Sequence, residues 1–126
     1  MDGSRSRPFR IGVLPIPGFA LMSYACTVEP LRAANLLAGR LLYDVVILGS
    51  GVTKSSGGVA LDGTLELDDA PPLDWVLVIA GGAPFRLQDD ALFGWLRRMA
   101  RHRVPLGGVS GGPVILVRAE VMAGRR

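Results

Sequence analysis

The apolar positions of this chain fall into four compact β-like runs that alternate with three helical stretches. Residues 9–14 (FRIGVL), 43–48 (YDVVIL), 74–80 (DWVLVIA) and 104–109 (VPLGGV) are short and mainly apolar with β-branched residues in each, as strands buried on both faces are. Between the first two, Leu21, Tyr24, Val28, Leu31, Ala34 and Leu37 recur at spacings of three and four, which predicts a helix over 19–37. Pro30 predicts a kink or a fresh helix start inside it, and Gly39 a C-terminal stop. Leu92, Trp95, Leu96 and Met99 share one face of a second helix over 87–102. A third helix is expected over 112–122, capped by Gly124. Residues 50–58 read as a Gly/Ser-rich loop, and 59–61 and 64–67 flank Asp62-Gly63, a strong hairpin-turn pair.

This alternation predicts an α/β fold: a parallel sheet with helices on both faces and a small β-hairpin insertion. Residues 1–8 read as a disordered leader and 9–126 as one domain. A sheet of this kind usually gains a further strand after such a helix, since otherwise an edge is left open. The chain is therefore expected to be a C-terminally incomplete piece of a longer protein.

Composition narrows the class. With 126 residues, 49% of them apolar, there is material for one real core. The net charge of +3 is carried almost entirely by arginines, several of them at the termini, and is too small to predict nucleic-acid binding by itself. Cys26 is the only cysteine, which excludes an internal disulfide and a cysteine-based zinc site and fits the reducing cytoplasm. No apolar run approaches the roughly 20 residues of a membrane-spanning helix, and the N-terminus lacks the apolar stretch of a signal peptide. No metal or cofactor is implied.

The chemistry concentrates where the fourth strand turns into the third helix. Residues 108–112 (GVSGG) satisfy G-x-S-x-G, with Ser110 at a strand-to-helix corner of the kind that carries nucleophiles. A serine needs an adjacent base. The only histidine, His102, lies at the far end of the same strand, roughly 20 Å away at about 3.3 Å per residue, and the only acid after Ser110 is Glu120. Ser110 is better read as a small residue in a tight turn. Gly81, Gly82 and Ala83 end the third strand at the same edge, and their amides, with those of Gly111 and Gly112, could cradle an anion such as an amino-acid carboxylate. Turn geometry alone explains these glycines equally well. Glu29, with Trp75 and Tyr24 as an aromatic cage, could take a quaternary ammonium. The plainer reading makes Trp75 a core residue, Glu29 a solvated or helix-pairing charge and Cys26 a small buried apolar residue. Arg97, Arg98, Arg101, His102 and Arg103 could touch DNA phosphates, but a basic helix C-terminus complementing its dipole is the better account.

Three segments carry a family resemblance: FRIGVLPIPGFALMSYACTVEPLRAANLLAGR, WVLVIAGGAP and PLGGVSGGPVILVRAEVMAGRR. With them the chain resembles, from Phe9 onward, the N-terminal domain of AraC-type transcriptional regulators of the GlxA group, in the class I glutamine amidotransferase-like superfamily alongside the PfpI peptidases. The resemblance implies a flavodoxin-like fold and a role as a ligand-sensing and dimerisation module, with DNA bound only through a C-terminal helix-turn-helix region absent here. The SYACTVEPLRAAN run is similar to regulators of arginine, carnitine and glycine-betaine catabolism, so a small metabolite and a second copy of the chain are the implied partners. Enzymes of the superfamily place a cysteine where Ser110 stands, and PfpI-like members an acid where Ser23 stands. The chain departs from that pattern at both positions, which implies a regulator rather than a hydrolase. The implied ligand site comprises Ser23, Glu29, Gly81, Gly82, Ala83, Ser110, Gly111 and Gly112.

Overall fold

The computed structural model describes residues 7–62 and 64–123. Four strands, β1 (Phe9–Pro15), β2 (Tyr43–Ile47), β5 (Trp75–Ala80) and β6 (Leu106–Ser110), form one wholly parallel sheet in the order β2-β1-β5-β6. β1 and β5 are central, which is why Ile11, Val13, Leu14, Val76, Val78 and Ile79 are almost fully buried.

Right-handed crossovers in opposite directions fix the layers. The chain steps from β1 to β2 through α1 (Leu21–Ala38), which packs Tyr24, Val28 and Leu31 on the face bearing Ile11, Val13 and Ile79. It steps the other way, from β5 to β6, through α2 (Asp90–Arg101). α2 and the following α3 (Gly112–Arg118) cover the opposite face, where Leu92, Phe93, Trp95, Leu96, Ile115 and Leu116 meet Leu14, Val76 and Val78. Asn35 ties α1 to β2: its Oδ1 accepts the Leu42 and Tyr43 amides, and its Nδ2 donates to the Tyr43 carbonyl.

Several boundaries differ from expectation. α1 runs unbroken through Pro30, whose missing amide leaves the Cys26 carbonyl without its helical partner on the exposed side. Gly39 ends it in the left-handed region, as expected. The hairpin keeps the expected strand at 59–61 but gives it another partner: β3 (Thr53–Lys54) pairs antiparallel with β4 (Ala60–Leu61), closed by Ser55, whose backbone amide donates to the Val59 carbonyl and whose hydroxyl accepts the Val59 amide. Residues 64–67 do not pair with 59–61, because Leu65 bridges Leu48 and extends the β2 edge in parallel. α2 starts at Asp90 because the Asp89 carboxylate caps the Leu92 amide. α3 ends at Arg118, four residues early, and the Gly124 cap lies outside the described residues. Of the expected leader, 1–6 lie outside the described residues, while the Arg7 guanidinium forks onto both Asp74 carboxylate oxygens at 2.8 and 3.0 Å.

Candidate functional site

The two crossovers diverge from between β1 and β5, so the loops leaving these strands part there. Such a switch point at the carboxyl edge is where open α/β sheets bind ligands. A cleft of about 480 Å³ opens at that place. Its walls are Ile16, Pro17 and Gly18 after β1, Ala80 at the end of β5, and Gly81, Gly82, Ala83, Pro84, Arg86 and Leu87 beyond it.

Local chemistry shapes both walls. The Gly18 amide donates to the Lys54 carbonyl, and the Ser56 amide to that of Phe19, so the β3–β4 hairpin braces the first loop. Any side chain at position 81 would run into the Gly18 carbonyl oxygen, so glycine there lets the two loops meet. Gly82 faces open space. A 3₁₀ turn over Pro84–Arg86, closed by the Arg86 amide on the Ala83 carbonyl, sets Arg86 at the rim. Arg118 anchors that turn, donating to the Pro84 carbonyl at 2.9 Å while its guanidinium lies 5.1 Å from the Phe93 ring centroid.

The expected site residues divide. Gly81, Gly82 and Ala83 line the cleft. Ser110 stands beside it, registered against Ala80, with a left-handed φ of 57°. The Gly111 amide is spent on the Ala80 carbonyl, and a β-carbon at buried Gly112 would collide with the Val78 carbonyl, so glycine at 112 serves the packing of α3 on β5; neither residue is among those lining the cleft. Ser23 and Glu29 are on α1 and not among the cleft residues. Glu29 is exposed and pairs with Arg32 at 3.0 Å.

The aromatic cage does not form. Trp75 begins β5 at the opposite edge of the sheet and is 39% exposed rather than core, whereas Tyr24 packs on Phe19 with ring centroids 5.7 Å apart. Burial, and secondarily the Glu29 charge, raise the Tyr24 hydroxyl above its ordinary pKa. Cys26 is exposed rather than buried.

His102 caps α2 at the amino-terminal side of β6, in a separate hollow with Trp95 and Arg98, away from Ser110. The basic cluster around it is tied down locally, Arg98 to Asp68 at 3.3 Å and Arg97 to the Ala119 carbonyl at 3.4 Å. Arg86 is the cleft residue that sequence reasoning passed over, although a cation two residues beyond Gly-Gly-Ala-Pro was visible. Among the described residues no group of three or more His, Cys, Asp or Glu is placed to hold a metal, and no helix is long and apolar enough to cross a membrane.

Known proteins share this sequence and frame. No family model matches the chain. It is 44% identical over 120 residues to the HTH-type transcriptional regulator GlxA of Rhizobium meliloti, covering 92% of this chain and 37% of that one. The chain thus spans little more than a third of that relative's length. A crystal structure of an AraC family transcriptional regulator from Pseudomonas putida superposes with a TM-score of 0.81 at 27% identity, over 94% of this chain and 64% of that one. A ThiJ/PfpI domain protein from Brachyspira murdochii shares the fold, with a TM-score of 0.70 at 16% identity over 93% of this chain and 67% of that one. In sequence and in fold, the chain belongs with the N-terminal domains of GlxA-type, AraC-family transcriptional regulators, the family its motifs resemble.

Proposed function

We propose that this chain is the small-molecule sensor and dimerisation module of a cytoplasmic regulator, with a metabolite bound in the switch-point cleft. The observation that carries the reading is the cleft itself. It lies between the loops leaving β1 and β5, has mostly apolar walls, and is lined by Gly81, Gly82 and Ala83 beside one cation, Arg86. A ligand there contacts two loops that belong to different crossovers, so it favours whichever arrangement of the loops it fits better.

Dimerisation finds support on α1. Met22 and Leu37 are 79% and 88% exposed, Leu36 and Cys26 are exposed as well, and all lie along one outward stripe of the helix. The occupant that fits this stripe is a second copy of the chain, because two pairs of its positions are symmetric about a point between Glu29 and Pro30. Met22 and Leu37 stand at equal distances from that point, as do Cys26 and Ala33. An antiparallel, two-fold pairing of α1 helices would set Met22 against Leu37 and Cys26 against Ala33, with Leu36 opposite Ser23. Binding of DNA belongs to the regulator as a whole, through a helix-turn-helix region that is not among the residues of this chain.

The test is thermal unfolding of the chain against amino acids, carnitine, betaines, related amines and small carboxylates without a cationic head. A specific ligand at a hundred times its dissociation constant stabilises by about 2.7 kcal/mol, several degrees for a domain of this size. A transition that no compound moves would defeat the sensor reading. A hydrolase related to the PfpI group is the second reading, favoured by the left-handed corner at Ser110. Its mark would be a hydrolytic activity abolished by Ser110→Ala.

A further inference from the structure

The geometry points to a carboxylate as the group by which the cleft recognises its ligand, with Arg86 as its partner; this rests on the sensor reading and narrows it to a chemical class. Among the described residues, Arg86 is the only charged side chain that lines the cleft. It makes no ion pair or side-chain hydrogen bond with any described residue, in contrast to Arg7, Arg10, Arg32 and Arg98, each of which pairs with a carboxylate. The nearest acids in sequence do not compensate it. Asp89 is engaged with the Leu92 amide, and neither Asp89 nor Asp90 lines the cleft.

The backbone adds a second, independent set of donors. No described acceptor takes the amides of Gly81, Gly82 or Ala83, while the neighbouring Arg86 and Gly111 amides are both satisfied internally. Three N–H groups without a described acceptor and one guanidinium thus belong to residues of the same cleft, and each of these groups is a donor. Ile16, Pro17, Ala80, Pro84 and Leu87 supply the rest of the lining, which is apolar.

This set selects among ligands. A guanidinium matches a carboxylate in charge and in its two-pronged shape. A phosphate dianion would leave one negative charge uncompensated against apolar walls, which is costly. A cationic head group meets no acid in the cleft, since Glu29 is paired on the outside of α1. The ligand is thus a small carboxylate with an apolar body, anchored at Arg86 and the Gly81–Ala83 amides.

Amide and guanidinium NMR of the chain tests this with simple probes: sodium benzoate and sodium isobutyrate, their neutral counterparts benzamide and isobutyramide, and inorganic phosphate. The carboxylates should shift the Gly81, Gly82 and Ala83 amides and the Arg86 Nε–H, and the neutral amides should not. Arg86→Gln should weaken benzoate about tenfold or more, and Arg86→Lys should recover part of the loss. The exposed, unpartnered Arg86 makes these variants safe for folding, which their spectra would verify directly. Equal shifts from benzamide, or shifts from phosphate alone, would overturn the carboxylate assignment and leave the cleft standing as a ligand site. Shifts from no probe would overturn the assignment outright, and the metabolite panel then decides the sensor reading separately.

Discussion

Gly112 lies so close to Val78 that a β-carbon on it would run into the Val78 carbonyl oxygen. The first turn of α3 is pressed directly onto the backbone of β5 at this point, and backbone cannot move aside as a flexible side chain can. Gly112→Ala should therefore cost about 3 kcal/mol, the upper end of ordinary overpacking. Gly82→Ala is the matched control, because nothing lies within 4 Å of a β-carbon there, and it should change stability by less than about 0.5 kcal/mol. Denaturant unfolding of the two variants decides the matter. Equal effects would mean that α3 is not seated against β5 as described.

Two helices end on non-glycine residues in the left-handed region, Arg103 at φ 61° and Glu120 at φ 64°. Both ends carry the paired bonds of a Schellman motif. Val104 donates to the Met99 carbonyl and Arg103 to that of Ala100, and Val121 donates to Leu116 while Glu120 donates to Val117. A side chain in that conformation costs about 1–2 kcal/mol, part of which glycine gives back through a more flexible unfolded state. Arg103→Gly and Glu120→Gly should each stabilise by about 0.5–1 kcal/mol, read as a higher midpoint in thermal unfolding. A fall at both positions would contradict the left-handed geometry.

Tyr24 gives the domain a dependence on alkaline pH. Burial, and then the Glu29 charge, raise its hydroxyl above the ordinary value of 10.0, so the folded state holds the proton more tightly than the unfolded state. That contribution is complete below pH 10 and is lost as pH rises through the folded value. Tyr24→Phe keeps the ring against Phe19 and has no proton to release. Wild type should thus lose unfolding free energy more steeply than the variant between about pH 9 and about pH 11. Parallel curves would remove Tyr24 from the account.

The sheet was legible in the sequence because a parallel strand covered on both faces needs an unbroken apolar run, and YDVVIL and DWVLVIA are such runs. What escaped depends on tertiary partners. Asp62-Gly63 is a strong local turn signal, yet Leu65 gains more by pairing with Leu48 at the sheet edge, and the hairpin closes at Ser55 instead. The end of α3 was invisible because Glu120, not glycine, takes the left-handed position. The carboxyl edge was readable as the place for a site, but its membership was not. Gly111 and Gly112 sit at that edge but outside the cleft lining, while Arg86 reaches the cleft only through a 3₁₀ turn that its sequence does not announce.

The outward stripe of α1 yields the prediction that bears most on how a bound metabolite would be read out. Leu37 is 88% exposed and Met22 79%, far more than an isolated surface keeps without reason when the two share one helix face. In a two-fold antiparallel pairing, each Leu37 meets the Met22 of the other copy, so one substitution damages the contact twice. Leu37→Glu places two carboxylates in that apolar contact and should convert a dimer to a monomer, while leaving thermal stability of the monomer within about 0.5 kcal/mol because the side chain is exposed there. Sedimentation velocity reads the mass. With Cys26→Ser in place, Glu29→Cys should form a disulfide across the two-fold axis under mild oxidation, whereas Arg40→Cys, beyond the end of the helix, should not. A wild-type chain that sediments as a monomer, or a Leu37→Glu variant that remains dimeric, would mean that α1 is covered by something other than a second copy.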